Sequence, residues 1–233
     1  SDLSLSYTYN NLVLAITDII GRFKPSTIIS IDEDIHVDHQ LTSIAVEEAV
    51  GKVVKENVNY TPKVLKSFGY DTDFESINDY YAMHLQSTVQ NRAWIVDECL
   101  STNNPMLLWE DRIRIPVPSD CRSTSLVGNL MFRALGSHMS QSAYKHSPKL
   151  INGDQVFWQR RTDNLALQAT VTATSGNSCK INDFLRYDFR DTTKKIANPE
   201  DYTWIPDDTD QESTVTLHFE EPVEIKFIHW RSE

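Results

Sequence analysis

A layered α/β domain with mostly parallel strands, followed by a smaller all-β module, is the fold class that this 233-residue sequence predicts. Three observations carry it. A helical pattern, a β-branched run and a second helical pattern follow one another within the first 55 residues. Further short apolar runs in the middle of the chain supply more strands. Beyond residue 164, apolar and polar residues alternate in short segments separated by turns, the mark of antiparallel strands with one buried face.

The elements can be justified in order. Leu12, Ile16, Ile19, Ile20 and Phe23 fall on one helical stripe, with Thr8 or Asn10 as the N-cap and Lys24-Pro25 as the stop. Ser26–Ile31 is rich in isoleucine and reads as a buried parallel strand. A polar loop from Asp32 to His39 follows, and then Leu41, Ile44, Ala45, Glu48, Ala49 and Val53 return at helical spacing. Val64–Phe68 and Arg112–Val117 read as further strands, the second closed by Pro116 and Pro118. Val127, Leu130, Met131, Ala134 and Leu135 mark a helix across Ser123–His138, with His138 on the same face near its end. Ala169–Thr174, Ser213–Phe219 and Val223–Ile228 are the alternating segments. The chain thus divides into residues 1–163 and 164–233.

Composition narrows the functional classes. With 40% hydrophobic and 24% charged residues the chain can bury a core. Its 22 Lys+Arg stand against 33 Asp+Glu, a formal charge of -11, which disfavours nucleic acid or an anionic membrane as partner. Lys145, Lys149, Arg160 and Arg161 are the candidates for a local basic patch, and a neutral or amino-sugar ligand suits the charge better than a polyanion. Cys99, Cys121 and Cys179 form no CxxC pair, so a cysteine-based zinc site is not expected; one disulfide with a spare thiol fits the count. No apolar run approaches the ~20 residues that span a bilayer, and no signal-peptide pattern opens the chain.

Chemistry is expected first in the loop after the opening strand, because open α/β sheets bind ligands where strands lead into helices. His36 and His39 stand three residues apart there and can converge on one metal or one substrate atom, while Asp38 can orient an imidazole. The alternative for this spacing alone is a pair of solvated histidines in a polar turn.

The stretch from Phe23-Lys24-Pro25 through His36-Val37-Asp38-His39 to Ala45 and Ala49 resembles the second motif of the PIG-L/LmbE zinc-dependent de-N-acetylases. Arg133–Gln141 and Phe157–Leu165 are similar to later blocks of that family, so the resemblance extends over roughly residues 8–165. It implies a Rossmann-like domain and hydrolysis of the N-acetyl group of an N-acetylglucosaminyl substrate by a zinc-activated water. His39 would be a zinc ligand. His36 would stabilise the oxyanion or protonate the leaving amine, and Asp38 would hold a histidine by hydrogen bond. His138 would sit near the sugar or the metal, or alternatively cap helix carbonyls. Arg160, Arg161 and Asp163 are expected to form a structural ion-pair cluster at the domain junction.

The chain departs from the family in lacking the HPDDE-like first motif, which supplies the other zinc ligands and the catalytic Asp. The expectation is a fragment whose first βα unit lies outside this segment and partners it, with the isolated piece inactive. The alternative is a catalytically inactive homologue that binds carbohydrate at the cell surface. An α/β phosphoesterase is a weaker reading, since no phosphate-cradling glycine loop accompanies the histidines.

Asn164–Gly176, Ile181–Phe184, Trp204 and Val215–Phe219 resemble a discoidin-like galactose-binding module, which implies a jelly-roll-like sandwich, here incomplete. Such modules bind glycans through loop aromatics and in some cases calcium. Asp207, Asp208, Asp210 and Glu212 are a candidate calcium loop or else a solvated acidic turn. Trp204 and Tyr202 are candidates for sugar stacking, with burial the alternative for Trp204. By analogy with such modules, an extracellular or cell-surface location is expected.

Overall fold

The computed structural model describes residues 6–32, 37–67, 74–76, 93–95, 111–121, 123, 125, 127–146, 154–185 and 203–228. Helix α1 covers Tyr9–Phe23; the Thr8 side chain accepts a hydrogen bond from the Asn11 N–H, and the helix ends as Lys24 turns left-handed before Pro25. Of the two candidate caps, Thr8 is the one used. Strand β1 (Thr27–Ile31) leads through Asp32 towards helix α2 (Val37–Glu56), and strand β2 (Lys63–Ser67) follows. β1 and β2 pair in parallel, Thr27 opposite Lys63 and Ile31 opposite Ser67. A parallel pair needs a crossover, and α2 provides it.

The rest of this sheet corrects the expectation of mostly parallel strands. Strands β5 (Ile113–Pro116) and β6 (Asp154–Arg160) complete the order β1-β2-β6-β5, and β6 runs antiparallel to both neighbours. The sheet is mixed. Val156, Phe157 and Trp158 are buried one after another in β6, which therefore has both faces covered and shows no period-two pattern. β1 stands at the sheet's end among the described strands, and Ile29 is 62% exposed, so the strand is not buried on both faces as its composition suggests. Strands β3 (Phe74–Ser76) and β4 (Ala93–Ile95) form a separate antiparallel ribbon.

The core lies between α1, α2 and one face of the sheet. Val13 and Ile20 of α1 meet Ala45, Ala49, Val50, Val53 and Val54 of α2, over Val64 of β2. At the rim, the Tyr9 hydroxyl donates to Glu48, and the Lys24 ammonium donates to Asn57. Tyr60 donates its hydroxyl to the Pro25 carbonyl, and burial raises that hydroxyl's pKa.

Leu167 and Phe184 belong to the same core, so the chain beyond residue 164 packs on α2. Gly51 makes this approach feasible, since a Cβ there would lie 2.5 Å from the Asp183 carbonyl oxygen and 2.8 Å from the Phe184 Cβ. Lys55 donates to the Asn182 side chain, and the Asn182 amide donates to the Ala166 and Ala169 carbonyls. Burial raises the Asp183 carboxyl pKa, against the opposing pull of the Lys180 ammonium 3.4 Å away.

Helix α3 is shorter than its apolar pattern suggests, covering Leu130–Ser137. Asn129 ends the expected N-terminal extension. Its side-chain oxygen caps the Phe132 N–H, and its amide donates to the Cys121 and Ser123 carbonyls, which folds the preceding residues into turns. Cys121 and Cys179 are free thiols; Cys99 lies outside the described residues.

Strands β7 (Thr170–Ala173) and β8 (Val215–His218) form an antiparallel pair, as their alternation predicts. Val223–Ile228 differs from expectation. It lies outside any strand, with Ile225, Phe227 and Ile228 exposed. A turn at 174–176 is pinned to the segment before β8, where the Trp204 indole N–H donates to the Ser175 carbonyl. Gly176 has φ +70°, and a Cβ there would overlap the Ile205 carbonyl oxygen. Gly176→Ala is therefore expected to cost about 2–5 kcal/mol, the sum of a left-handed alanine and overpacking. Urea denaturation would read this, and an unchanged midpoint would refute the close approach.

Candidate functional site

The carboxyl ends of β1 and β2 and the start of α2 meet at one edge of the sheet. Asp32 continues the ladder beyond β1, its N–H donating to the Ser67 carbonyl at 2.6 Å. Lys66, one residue before the end of β2, is 1% exposed. Its ammonium donates to Glu47 Oε1 at 2.6 Å and to Ser43 Oγ, and lies 3.2 Å from Asp32 Oδ1. Asp32, Ser43 and Glu47 are all buried as well.

A lysine side chain taken fully out of water needs acceptors for its three donors, and these three groups supply them. Arg160 of β6 completes the cluster. Its Nε lies 3.6 Å from Glu47 Oε1, its Nη2 donates to the Phe184 carbonyl, and its guanidinium sits 4.4 Å from the Phe184 ring centroid. Among the described residues, two cations thus stand against two carboxylates. Arg160 belongs to this interior cluster and not to a surface basic patch, and Lys149 lies outside the described residues.

The helix begins earlier than the sequence suggests, so Asp38 and His39 occupy the first turn of α2 and are not in a loop. Asp38 is exposed, its carboxylate in the turn where a helix favours negative charge, and its carbonyl accepts the Thr42 hydroxyl. His39 is half-buried. Residues 39, 43 and 47 recur at four-residue spacing, so His39 stands on the same face of α2 as Ser43 and Glu47, one turn nearer the sheet edge. His36 lies outside the described residues.

His138 is exposed at the C-cap of α3, where its backbone N–H bonds the Leu135 carbonyl. Among the described residues, the principal packing of α3 is with the flanking turns at Ser119–Cys121 and Ala143–His146. The exposed Arg161 and Asp163 form a two-pronged ion pair, at 2.9 and 2.8 Å. Its hydrogen bonds hold the Asp163 carboxyl below its ordinary pKa.

In the C-terminal part, Asp210 accepts from Thr174 Oγ1 and Ser175 Oγ at 2.5 and 2.6 Å, and these bonds lower its pKa. Its carboxylate fastens the 174–176 turn. Trp204 is half-buried and its indole N–H is donated to the Ser175 carbonyl, and Tyr202 lies outside the described residues.

The imidazole of His39 has donor chemistry that zinc accepts. Among the described residues, however, no group of three His, Cys, Asp or Glu side chains is placed to hold a metal ion, and Asp32 is engaged by Lys66. These residues fit zinc through one ligand and do not make a complete centre.

Comparison with protein-family models, curated proteins and solved structures gave no match.

The buried cluster of Asp32, Ser43, Glu47, Lys66 and Arg160 escaped the sequence reading. Its one legible signal is the lysine in Val64-Leu65-Lys66, a charge set among residues that pack the core.

Proposed function

We propose that the β1–α2 edge is part of a zinc-dependent de-N-acetylase acting on an N-acetylglucosaminyl group, with His39 as one metal ligand. The observation that carries this reading is the position of His39. It is half-buried, on the first turn of α2, at the carboxyl end of a parallel strand pair, where open α/β sheets receive ligands. Bound zinc supplies a water acidified toward pKa ~7 and polarises the acetamide carbonyl.

In this reading His36 protonates the leaving amine or steadies the oxyanion, and Asp38 orients a histidine. The remaining ligands come from residues outside those described. The sheet belongs to a Rossmann-like domain over residues 1–163. β7 and β8 belong to a jelly-roll-like module over 164–233, with 165–184 as the seam on α2. His138 as a sugar contact, a calcium loop at 207–212 and a cell-surface location are subsidiary parts of the proposal.

The test uses the protein expressed from its complete reading frame. Stoichiometric zinc by elemental analysis is expected, together with acetate release from an N-acetylglucosaminyl glycoside. His39→Ala should lose both, because one of about three protein ligands disappears. Zinc retained at full stoichiometry in the His39→Ala protein would sink the reading. A zinc-free, inactive wild type that still binds glycan would instead favour the carbohydrate-binding homologue.

A further inference from the structure

We propose that Lys66 is a positioning residue, whose buried ammonium ties the end of β1 to the first turns of α2 and thereby aims the imidazole of His39. The inference rests on the assignment of His39 to the site and deepens it. Lys66 faces acceptors from two elements at once, Asp32 at the exit of β1 and Ser43 and Glu47 on α2. These contacts bracket the β1–α2 connection from both sides. Asp32 opens it, and Ser43 and Glu47 lie four and eight residues beyond His39 on the same helical face.

An apolar side chain would fill the same space without the cost of desolvating an ammonium and two carboxylates. What the charges add is direction. A hydrophobic contact tolerates rotation and sliding of α2 on the sheet, whereas an ammonium with three fixed acceptors does not. Ser43 and Glu47 are the two contacts on α2, so helix rotation that carried His39 from the sheet edge would break both.

The experiment uses the full chain carrying Lys66→Met with Asp32→Asn. Charge bookkeeping selects this pair, because it removes one cation and one carboxylate and leaves Glu47 facing Arg160. Val50→Ala, a core change on the same helix, serves as the control for general loss of stability. Two readouts are taken on folded protein. The first is the rate at which diethyl pyrocarbonate modifies His39, followed by mass spectrometry with exposed His138 as internal reference. The second is zinc affinity by chelator competition, with the visible spectrum of the cobalt-substituted protein.

In the double variant, His39 modification should accelerate severalfold relative to His138. Zinc affinity should fall about 10–100-fold with an altered cobalt spectrum, as for a lost orienting contact around a metal ligand. Val50→Ala should show neither change. A double variant that folds and matches Val50→Ala in both readouts overturns the proposal. If the double variant fails to fold, Ser43→Ala removes one uncharged contact and must move both readouts in the same direction, or the proposal falls. A wild type that takes up no zinc ends the de-N-acetylase reading, and the His39 modification rate alone then decides the positioning role.

Discussion

Lys66→Met alone should destabilise the protein by about 3–5 kcal/mol, the usual consequence of removing one partner from a buried ion pair. The methionine fills the space well. The loss comes from Asp32 and Glu47, which remain buried with Arg160 as the other cation of the cluster, 3.6 Å from Glu47. Adding Asp32→Asn to the same chain should recover a large part of the loss, since it restores the balance of charge. Urea denaturation of the two single variants and the double gives the coupling between the sites. Near-additive losses would mean that Asp32 and Lys66 do not interact as the 3.2 Å separation indicates.

Phe184→Ala should be comparably damaging, at about 3–5 kcal/mol, because it empties a large aromatic site in the core. The ring is 5% exposed and packs in the cluster formed by α1 and α2. It also carries the Arg160 guanidinium over its face, a contact worth about 0.5–2 kcal/mol. The backbone at Phe184 has φ +73°, a left-handed conformation that costs a phenylalanine about 1–2 kcal/mol. Burial of the ring holds the residue there. Thermal unfolding followed by circular dichroism checks the outcome, and a midpoint shift below a few degrees would show that the ring contributes little to the core.

How much of this was legible in the sequence depended on whether local signals agreed with the tertiary ones. α1 was readable because its stripe, its Thr8 cap and its Lys24-Pro25 stop all point to one helix. β7 and β8 were readable because one face of each is polar, which produces alternation. β6 gave no such alternation, since Val156, Phe157 and Trp158 are buried in succession, and so the antiparallel centre of the sheet went unseen. α3 was overextended because Val127 fits a helical period, while it is 80% exposed in a turn. The side-chain bonds of Asn129 override that period, and periodicity carries no trace of them.

The site followed the same rule. The histidine spacing pointed to the β1–α2 edge, and His39 does stand there. The cluster behind it joins residues 32, 43, 47, 66 and 160, and separations of that size leave no local pattern to read.

The absence of a side chain at Gly51 fixes where this polypeptide can be divided. Because the helix backbone there receives the 183–184 segment directly, a chain cut after residue 163 would strip Leu167 and Phe184 from α2 and lay apolar surface open to water. Such a half would tend to self-associate. The practical unit for expression, exchange between scaffolds or recombination therefore includes Leu167 and Phe184 and, because β7 pairs with β8, extends through at least His218.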